Sequence, residues 1–571
     1  MKVVGSHQFN RPEIMKARTF FARTTCPSPI ATRSAIACVA RLLSLLLLSL
    51  LSAEVQAQFS YWTQDDTVMI LGYTGSEGAV TVPATIDGLP VTRLGDNSFT
   101  GCITLTNVTI PDSVTSIGQW AFASCTNLTA IVLGNGVTSI EDHAFYQCSS
   151  LTSVAVPDGV SNIQTGTFQY CTNLATVSIP NSVTNIGDSA FSYCVSLTGV
   201  TIPGTVTSIG PGAFYWCTSL SNATIPNSVS NIGRGAFYNC DRLTTVAIGN
   251  SVTSIGDDAF ASCTNLGSVA IPGRVTSIGS NAFFRCSNLT NVTLPGSVTS
   301  IGDSAFAACS NLAGIMILGS VTNLGNSVFE SCSSLASVVI PDVNNLGNSV
   351  FENCSHLASV TIGSGITSLG GDVFYGCTSL ASITIPGSVT NIGSGTFAAC
   401  TSLTNVTIPS SVTGIGDWAF EGCTSLASIT IPGSVTNIAA HAFIYCTRLT
   451  AVLFEGNAPS ADRYVFEDCP ATVYYLPGTT GWGTTFAGRP TKQGYPPLSY
   501  FSMVNVGVQM SQFGFLITGT TNLTFVVDAC TDLTHPVWYP LQTNTLTSGP
   551  AYFSDPQWAE YPARFYRLRS P

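Results

Sequence analysis

Charged residues are scarce in this 571-residue chain, in which Asp, Glu, Lys and Arg together make up 9%. Residues 58–571 hold 12 Lys or Arg and 28 Asp or Glu, a formal net charge of −16. A surface this poor in basic residues cannot neutralise many phosphates or anionic headgroups. We therefore expect neither nucleic acid nor an anionic membrane surface as a partner.

The usual signatures of catalysis and metal binding are also missing. The five His are scattered, and there is no His-Glu-x-x-His, Gly-x-Ser-x-Gly or P-loop motif. The 20 Cys include no Cys-x-x-Cys pair, which argues against a zinc site. We expect no enzyme, no cofactor and no metal.

A recurrent Asp follows an Ile-Gly pair in several places, which raises the question of a carboxylate pair or a calcium site. No second acidic residue recurs beside it, and neighbouring repeats often lack it. We interpret these Asp as solvated turn residues. They are Asp188, Asp257, Asp303 and Asp417.

No apolar run is long enough to cross a bilayer, which takes about 20 residues. The run Leu42–Leu51 follows Arg33 and Arg41, and Val55-Gln56-Ala57 fits a small-residue cleavage site. We interpret residues 1–57 as a signal segment. The remainder is expected to be secreted or at the cell surface, with no membrane insertion.

One pattern dominates what the chain does contain. Phe and Cys occur three residues apart seventeen times, from Phe99 to Phe466, at steps of 23 residues with a single step of 22 before Cys354. A fixed period of this length predicts a solenoid. Equivalent Cys in parallel coils do not have disulfide geometry, so we predict buried free thiols.

Each repeat also predicts its own local structure. Leu-x-x-Val-x-Ile after the Cys is typical of a short strand, and Val-x-x-Ile-Gly, as in Val183–Gly187, fits a second one. Ala-Phe-x-x-Cys fits one helical or 3₁₀ turn, because Phe and Cys at i and i+3 would share a face. The residue missing before Cys354 falls in the turn at Pro341–Val343, where we expect a local adjustment without a break.

The repeat consensus resembles the BspA-type leucine-rich repeat of bacterial surface and secreted proteins, over about residues 85–470. The consensus is Leu-x-x-Val-x-Ile-Pro-x-x-Val-x-x-Ile-Gly-x-x-Ala-Phe-x-x-Cys. Departures are few: Glu141, Gln164 and Ala439 replace the Gly after Ile. The resemblance implies a right-handed horseshoe or solenoid of about 17 coils. It also implies adhesion or protein–protein binding and no enzymatic activity.

The remaining segments fit caps and a second domain. Residues 58–98 are predicted to be an N-terminal cap with a strand pair, and residues 99–470 the leucine-rich repeats. Residues 471–497 are predicted to be a C-terminal cap and a linker, the Pro-rich linker covering 490–497. Residues 498–571, with alternating apolar runs, predict a small β-sandwich-like domain.

Two surfaces of the predicted solenoid are candidates for binding. One is the outward, small and polar face of the first strand, with residues such as Thr109, Thr224 and Thr384. The other is a stripe of aromatics just before the Cys, which suits protein hot spots or sugar stacking but could equally be packing between coils. The stripe consists of Tyr146, Tyr170, Tyr193, Tyr215, Trp216, Tyr238 and Phe284.

The sequence therefore favours a secreted or cell-surface scaffold that binds an extracellular protein or a glycan. Protein binding and adhesion is the leading interpretation. Carbohydrate binding and a purely structural surface or matrix role remain open alternatives, and ice binding by the Thr face is a further one that gaps such as Met316 weaken.

The first prediction concerns export. Because the apolar run is short and is followed by a small-residue site, cleavage is expected after Ala57. N-terminal sequencing of secreted protein should begin near Gln58. A mature chain that still contains Leu42–Leu51 would contradict the assignment.

Overall fold

The structure, a computed structural model, describes residues 58–317, 321–343, 346–496, 501–509, 512–519, 524–532, 537–546, 551–561 and 563–569. The predicted signal segment lies outside the described residues. The repeats form a β-solenoid of about 18 turns with almost no helix, which confirms the predicted fold class.

The Leu-x-x-Val-x-Ile stretch forms the first side of each coil. Its strands pair in parallel with the equivalent strand one repeat away, as Val246 does with Val269. In most of them buried and exposed residues alternate, so the Val and Ile face inward. The first-side strands are Asn107–Thr109, Ala130–Val132, Ser153–Ala155, Thr176–Ser178, Val200–Thr201, Asn222–Ile225, Thr245–Ile248, Ser268–Ala270, Asn291–Thr293, Gly314–Met316, Ser337–Ile340, Ser359–Ile362, Ser382–Thr384, Asn405–Thr407, Ser428–Ile431, Ala451–Phe454 and Thr472–Tyr475.

The predicted second strand is present too, as two residues on the second side of most coils. It also pairs in parallel at one-repeat spacing, as Ile255 does with Ile278. These strands are Ser116–Ile117, Ser139–Ile140, Asn162–Ile163, Asn185–Ile186, Ser208–Ile209, Asn231–Ile232, Ser254–Ile255, Ser277–Ile278, Ser300–Ile301, Asn323–Leu324, Ser368–Leu369, Asn391–Ile392, Gly414–Ile415, Asn437–Ile438 and Ser460–Ala461.

The third side, which we call the turn side, differs from the predicted helical turn. Ala-Phe-x-x-Cys forms consecutive β-turns, because the residue before Ala and the residue before Cys both have left-handed backbone. Ser189 (φ 54°) and Tyr193 (φ 60°) are one such pair. A right-handed helical turn excludes this conformation, which glycine adopts without a steric cost. Gly235 (φ 58°) and Gly376 (φ 69°) occupy the two positions in other coils.

These turns let the turn side join coils through its backbone. The N–H of Phe191 donates to Ala213 O at 2.8 Å, and the N–H of Tyr193 donates to Tyr215 O at 2.7 Å. Buried backbone groups need such partners. All three sides of a coil are therefore hydrogen-bonded to the neighbouring coil.

The repeat Phe side chains stack in one column through the core. Neighbouring ring centroids lie 4.7 to 5.8 Å apart and their planes are within 20° of parallel, from the Phe99–Phe122 pair to the Phe443–Phe466 pair. The rings are buried throughout. Each Phe is covered by its two neighbours, so its burial depends on both.

The repeat Cys are free thiols, and all but Cys102 are buried. In fifteen consecutive coils, from Cys125 to Cys446, the thiol donates to the Phe carbonyl of the preceding coil at 3.0 to 3.3 Å. That carbonyl also accepts the N–H of the Cys in its own coil. Phe237 O, for example, accepts Cys240 N and Cys263 Sγ. The Cys thus satisfies a buried acceptor that an apolar residue would leave half-paired.

The 22-residue step is absorbed locally, as predicted. Phe329 and Phe351 still stack at 5.5 Å, and Cys354 Sγ still donates to Phe329 O at 3.1 Å. The first-side strands on either side of the step stay in register, with Ser337 opposite Ser359. The shorter turn changes the loop and leaves the core columns continuous.

The N-terminal end of the solenoid is closed by a hairpin. Its two strands pair antiparallel, as predicted, and the second pairs in parallel with the strand Leu89–Leu94. The Tyr73 ring stacks on Phe99 at 5.4 Å, which extends the Phe column into the hairpin. The strands here are Phe59–Gln64, Thr67–Tyr73, Ala79–Thr81, Thr85–Ile86 and Leu89–Leu94.

The C-terminal end replaces the missing Cys with an arginine. Arg489 donates from Nε (3.0 Å) and Nη2 (2.6 Å) to Phe466 O, the last Phe carbonyl of the repeats. The predicted linker at 490–497 is wrong at its start, because Arg489–Gln493 is a strand paired in parallel with Thr472–Tyr475. Pro490 lies near the beginning of this strand, next to the short strand Thr485–Phe486, where its missing N–H is tolerated.

Beyond residue 500 the described strands form two three-stranded antiparallel sheets around a core that includes Phe515, Phe525 and Phe553. Two buried carboxylates anchor the end of the chain: Asp528 binds Arg567 and Arg569, and Asp555 binds Tyr566. The elements are the strands Phe501–Gln509, Gln512–Gly519, Thr524–Cys530, Tyr539–Thr545, Ala551–Asp555 and Phe565–Arg569, with a 3₁₀ turn at Trp558–Glu560.

The second prediction tests the Phe column. Phe260 stacks on Phe237 (5.3 Å) and Phe283 (5.4 Å), so Phe260→Ala leaves a cavity shared by three coils and should cost about 3–5 kcal/mol. Hydrogen exchange should accelerate first in the coils beside residue 260. Acceleration spread evenly over residues 99–466 would contradict nearest-neighbour stacking.

The third prediction concerns the thiols. Burial raises the pKa of most repeat thiols, to about 12 for Cys171 and Cys400, so folding favours the neutral form of these thiols. A thiol reagent near pH 8 should label few of the 18 Cys in residues 58–571 until the protein is denatured. The contribution of the thiols to the free energy of unfolding should be constant below the ordinary thiol pKa of 9.0 and should fall as the pH rises above it. Rapid native labelling of most Cys would contradict this account.

Candidate functional site

Six of the seven predicted stripe residues are brought together on the turn side. Each lies one or two residues after a buried Phe, so the rigid Phe column sets its position. The seventh, Phe284, lies apart, because the coil between it and Tyr238 has Ala261 and Ser262 at these positions. The guanidinium of Arg285 lies over the Phe284 ring at 5.2 Å.

The rings contact one another from coil to coil. Tyr170 stacks on Tyr193 at 4.6 Å, and Tyr193 stacks on Trp216 at 5.7 Å. In a parallel column Tyr215 stacks on Tyr238 at 4.7 Å, and a tilted contact between Tyr193 and Tyr215 joins the two columns. All are partly exposed. They form one continuous surface rather than separate side chains.

The structure adds two residues that the stripe prediction missed. Trp120 stacks on His143 at 4.1 Å and makes an edge contact with Tyr146, which in turn makes an edge contact with Tyr170. Trp120 and His143 each lie two residues before the repeat Phe, whereas the stripe residues lie one or two residues after it. Comparing only the residues just before the Cys in each repeat therefore could not find them. We call the whole set the aromatic ladder: Trp120, His143, Tyr146, Tyr170, Tyr193, Tyr215, Trp216 and Tyr238.

Part of the ladder is built on backbone that disfavours bulky side chains. Tyr170, Tyr193 and Trp216 have φ of 60° to 62°, and most other coils place a smaller residue such as Ser, Asn, Ala or Gly at this position. Left-handed backbone destabilises the fold by about 1–2 kcal/mol for a non-glycine residue, and an aromatic contact stabilises it by about 0.5–1.5 kcal/mol. Stability alone therefore gives little reason for aromatics here, and bulky residues on strained backbone often mark functional surfaces.

The ladder is electrically neutral at neutral pH. Burial lowers the pKa of His143, an effect that Asp142 partly offsets, so the imidazole is uncharged. Burial and the neighbouring tyrosines raise the pKa of Tyr193, so its hydroxyl stays protonated. The ladder offers ring edges and hydroxyl groups, which suit contact with another protein.

The polar face of the first side is exposed along most of the solenoid, as predicted, but it is interrupted and its C-terminal end is covered. Met316 and Val339 are exposed in the middle of it. Thr430, which has the same outward repeat position as Thr384 in a later coil, is buried. In the next two coils Leu453 and Tyr474 belong to one buried cluster, and Tyr495 packs against it. The chain after the repeats therefore covers the C-terminal end of the polar face.

Three of the four recurrent Asp of the turn side are structural rather than merely solvated. Asp257 accepts the N–H of Ser280 at 2.8 Å in the next coil, Asp303 accepts that of Asn326 at 2.7 Å, and Asp417 behaves in the same way. Each carboxylate therefore bridges two coils. Among the described residues no group of three or more His, Cys, Asp or Glu could hold a metal ion.

A second, smaller aromatic group lies near the other end of the turn side. Trp418, His441 and Tyr464 stack in order at 6.0 and 5.5 Å, and Arg463 lies over the Tyr464 ring. His441 Nε2 lies 3.2 Å from a carboxylate oxygen of Glu467.

In the part of the chain that the structure describes, no helix has the length and apolarity needed to span a membrane.

Comparison with known proteins gives a consistent result. The model of the BspA-type leucine-rich repeat region matches residues 92–219, 184–313, 253–381 and 367–481. A crystal structure of a leucine-rich repeat protein from Bacteroides ovatus is 30% identical, with a TM-score of 0.52, and the match covers 69% of this chain and 93% of that one. No curated protein matches the chain.

A leucine-rich cell-surface protein from Faecalibacterium prausnitzii is 29% identical over 70% of this chain and 94% of its own, with a TM-score of 0.36. The pneumococcal vaccine antigen PcpA is 16% identical over 74% of this chain and 92% of its own, with a TM-score of 0.36.

Proposed function

Because the chain belongs to the BspA-type leucine-rich repeat family, a family of repeat scaffolds, we propose that it is a secreted or cell-surface protein that binds another extracellular protein through the aromatic ladder. The predicted signal segment supports the location. The rigid solenoid presents the ladder already ordered, so little conformational entropy is lost on binding. No catalytic step is part of this function.

The observation that carries the proposal is a continuous, partly exposed aromatic surface over six coils, five of whose members occupy left-handed backbone. Tyr and Trp dominate the energetics of protein interfaces. Here the residues that would do so lie side by side on a frame held by the Phe column.

The ring geometry favours a protein over a glycan as the main partner. A sugar stacks on the open face of an aromatic ring. In the ladder, the faces of Tyr193 are next to Tyr170 and Trp216, and Tyr215 shares a face with Tyr238. Rings inside the ladder therefore present mainly edges and hydroxyl groups to a partner.

The fourth prediction uses the chain's own repeats to design the test. Tyr170→Ser, Tyr193→Ser and Trp216→Asn introduce residues that other coils hold at the same position with the same backbone, namely Ser124, Ser262 and Asn239. The substituted residues keep the same backbone, and partly exposed rings contribute little to the core, so the melting temperature should change only slightly. Affinity for proteins identified with an array of purified secreted and cell-surface proteins should fall at least about thirtyfold.

Tyr445→Ser is the matched control, because Tyr445 has the same repeat position and a φ of 59° but lies outside the ladder. It should leave binding unchanged. If the triple variant binds as tightly as the wild type, the ladder is not the binding surface. If the triple variant loses the fold while the control does not, the rings are inter-coil packing and the proposal fails.

A further inference from the structure

The aromatic ladder ends in a ring that is stacked on one face only. Tyr238 stacks on Tyr215 with an angle of 11° between the planes. In the next coil Ala261 takes the place of the ring, and no aromatic ring of the described residues packs on the second face of Tyr238. Tyr238 is partly exposed. The end of the ladder thus differs from its interior, where both faces of a ring such as Tyr193 are next to other rings.

A cavity of about 290 Å³ lies beside this terminal ring. It exists because Gly235 has no side chain: a Cβ there would lie 3.7 Å from Tyr215 Cδ2 and 3.8 Å from Tyr238 Cβ. The same repeat position holds Trp120 and His143 at the other end of the ladder, where the two rings stack on each other. The cavity is lined by Pro211, Tyr215, Arg234, Gly235, Tyr238 and Asp258.

A charged pair forms the polar wall of the cavity. Arg234 Nε lies 3.4 Å from Asp258 Oδ2, and the two side chains are 73% and 23% exposed. This single long contact uses one of the five guanidinium N–H donors and one carboxylate oxygen. The pair therefore places donors and an acceptor beside each other, next to an aromatic ring.

We propose that this cavity is a subsite for one neutral pyranose ring that carries two adjacent hydroxyl groups. The C–H face of the sugar would pack on Tyr238, one hydroxyl would accept from Arg234 and its neighbour would donate to Asp258. The cavity is at the small end of ligand sites, which matches a single ring. The opposite charges of the pair, together with the acidic chain, favour a neutral sugar over a uronic or sialic acid.

This subsite is additional to the proposed protein-binding surface and does not depend on it. Only Tyr215 and Tyr238 belong to both, and the residues that distinguish the sugar site are Arg234, Gly235 and Asp258. A variant of Gly235 tests the sugar site, and the triple variant of Tyr170, Tyr193 and Trp216 tests the protein surface. The two proposals can therefore fail separately.

The fifth prediction tests the subsite with methyl glycosides of glucose, galactose and mannose at millimolar concentration and the exported protein, using saturation-transfer difference NMR. At least one glycoside should bind, with saturation strongest on the ring protons that pack on Tyr238. Gly235→Asn fills the cavity while keeping a residue that tolerates this backbone, as Asn281 does at the same repeat position with a φ of 55°. It should lower the affinity at least about tenfold without changing the melting temperature.

Ser304→Asn is the matched control, since Ser304 has the same repeat position and a φ of 54° in a coil without an aromatic residue after its Phe. It should bind the glycoside like the wild type. Asp258→Asn should weaken binding and keep the fold, because it removes the charged acceptor and retains a residue suited to left-handed backbone. The proposal is overturned if no glycoside binds, or if Gly235→Asn and Asp258→Asn bind as well as Ser304→Asn.

Discussion

The structure depends on one contact that is repeated from coil to coil: the Cys thiol of one repeat donates to the Phe carbonyl of the repeat before it. Since that carbonyl also accepts the N–H of its own Cys, its two lone pairs are satisfied only when the next coil is in place. The Phe ring is likewise buried by both neighbours. A coil is therefore incomplete by itself, which is why this fold exists only as a stack and why Arg489 must complete the last carbonyl.

This internal regularity leaves the turn side free to vary. Its outward side chains contribute little to the core, so one stretch can hold the aromatic ladder while another is acidic. Residues 286–447 contain no Lys or Arg, and six of their seven acidic residues, including Glu330 and Glu352, lie close to a repeat Phe on the turn side. The residues at a few outward positions therefore determine what this scaffold can bind. The buried residues determine where in space those outward residues lie.

The period of Phe and Cys was enough to predict the solenoid, both strands of a repeat and the buried thiols, because like positions stack on like. Contacts between unlike positions were not predictable in this way. The thiol-to-carbonyl bond, the Trp120–Tyr146 contact and the Arg489 cap all join different repeat positions, and their geometry depends on how one coil is offset from the next. The left-handed turn residues had a visible signal, the Gly and Asn that recur there, whereas Ala-Phe-x-x-Cys read by side-chain spacing alone suggests a helical turn.

The central claim is that the repeat thiols are donors to carbonyl groups rather than inert apolar side chains. The S–H stretching band in the Raman spectrum of the native protein measures this directly, with the denatured protein as the reference for solvent-exposed thiols. Because fifteen thiols share one geometry, with S···O distances of 3.0 to 3.3 Å, the account predicts a single narrow band at a lower wavenumber than that of a thiol without an acceptor. A broad band at the position of an unbonded thiol, or the loss of the band through disulfide formation, would contradict it.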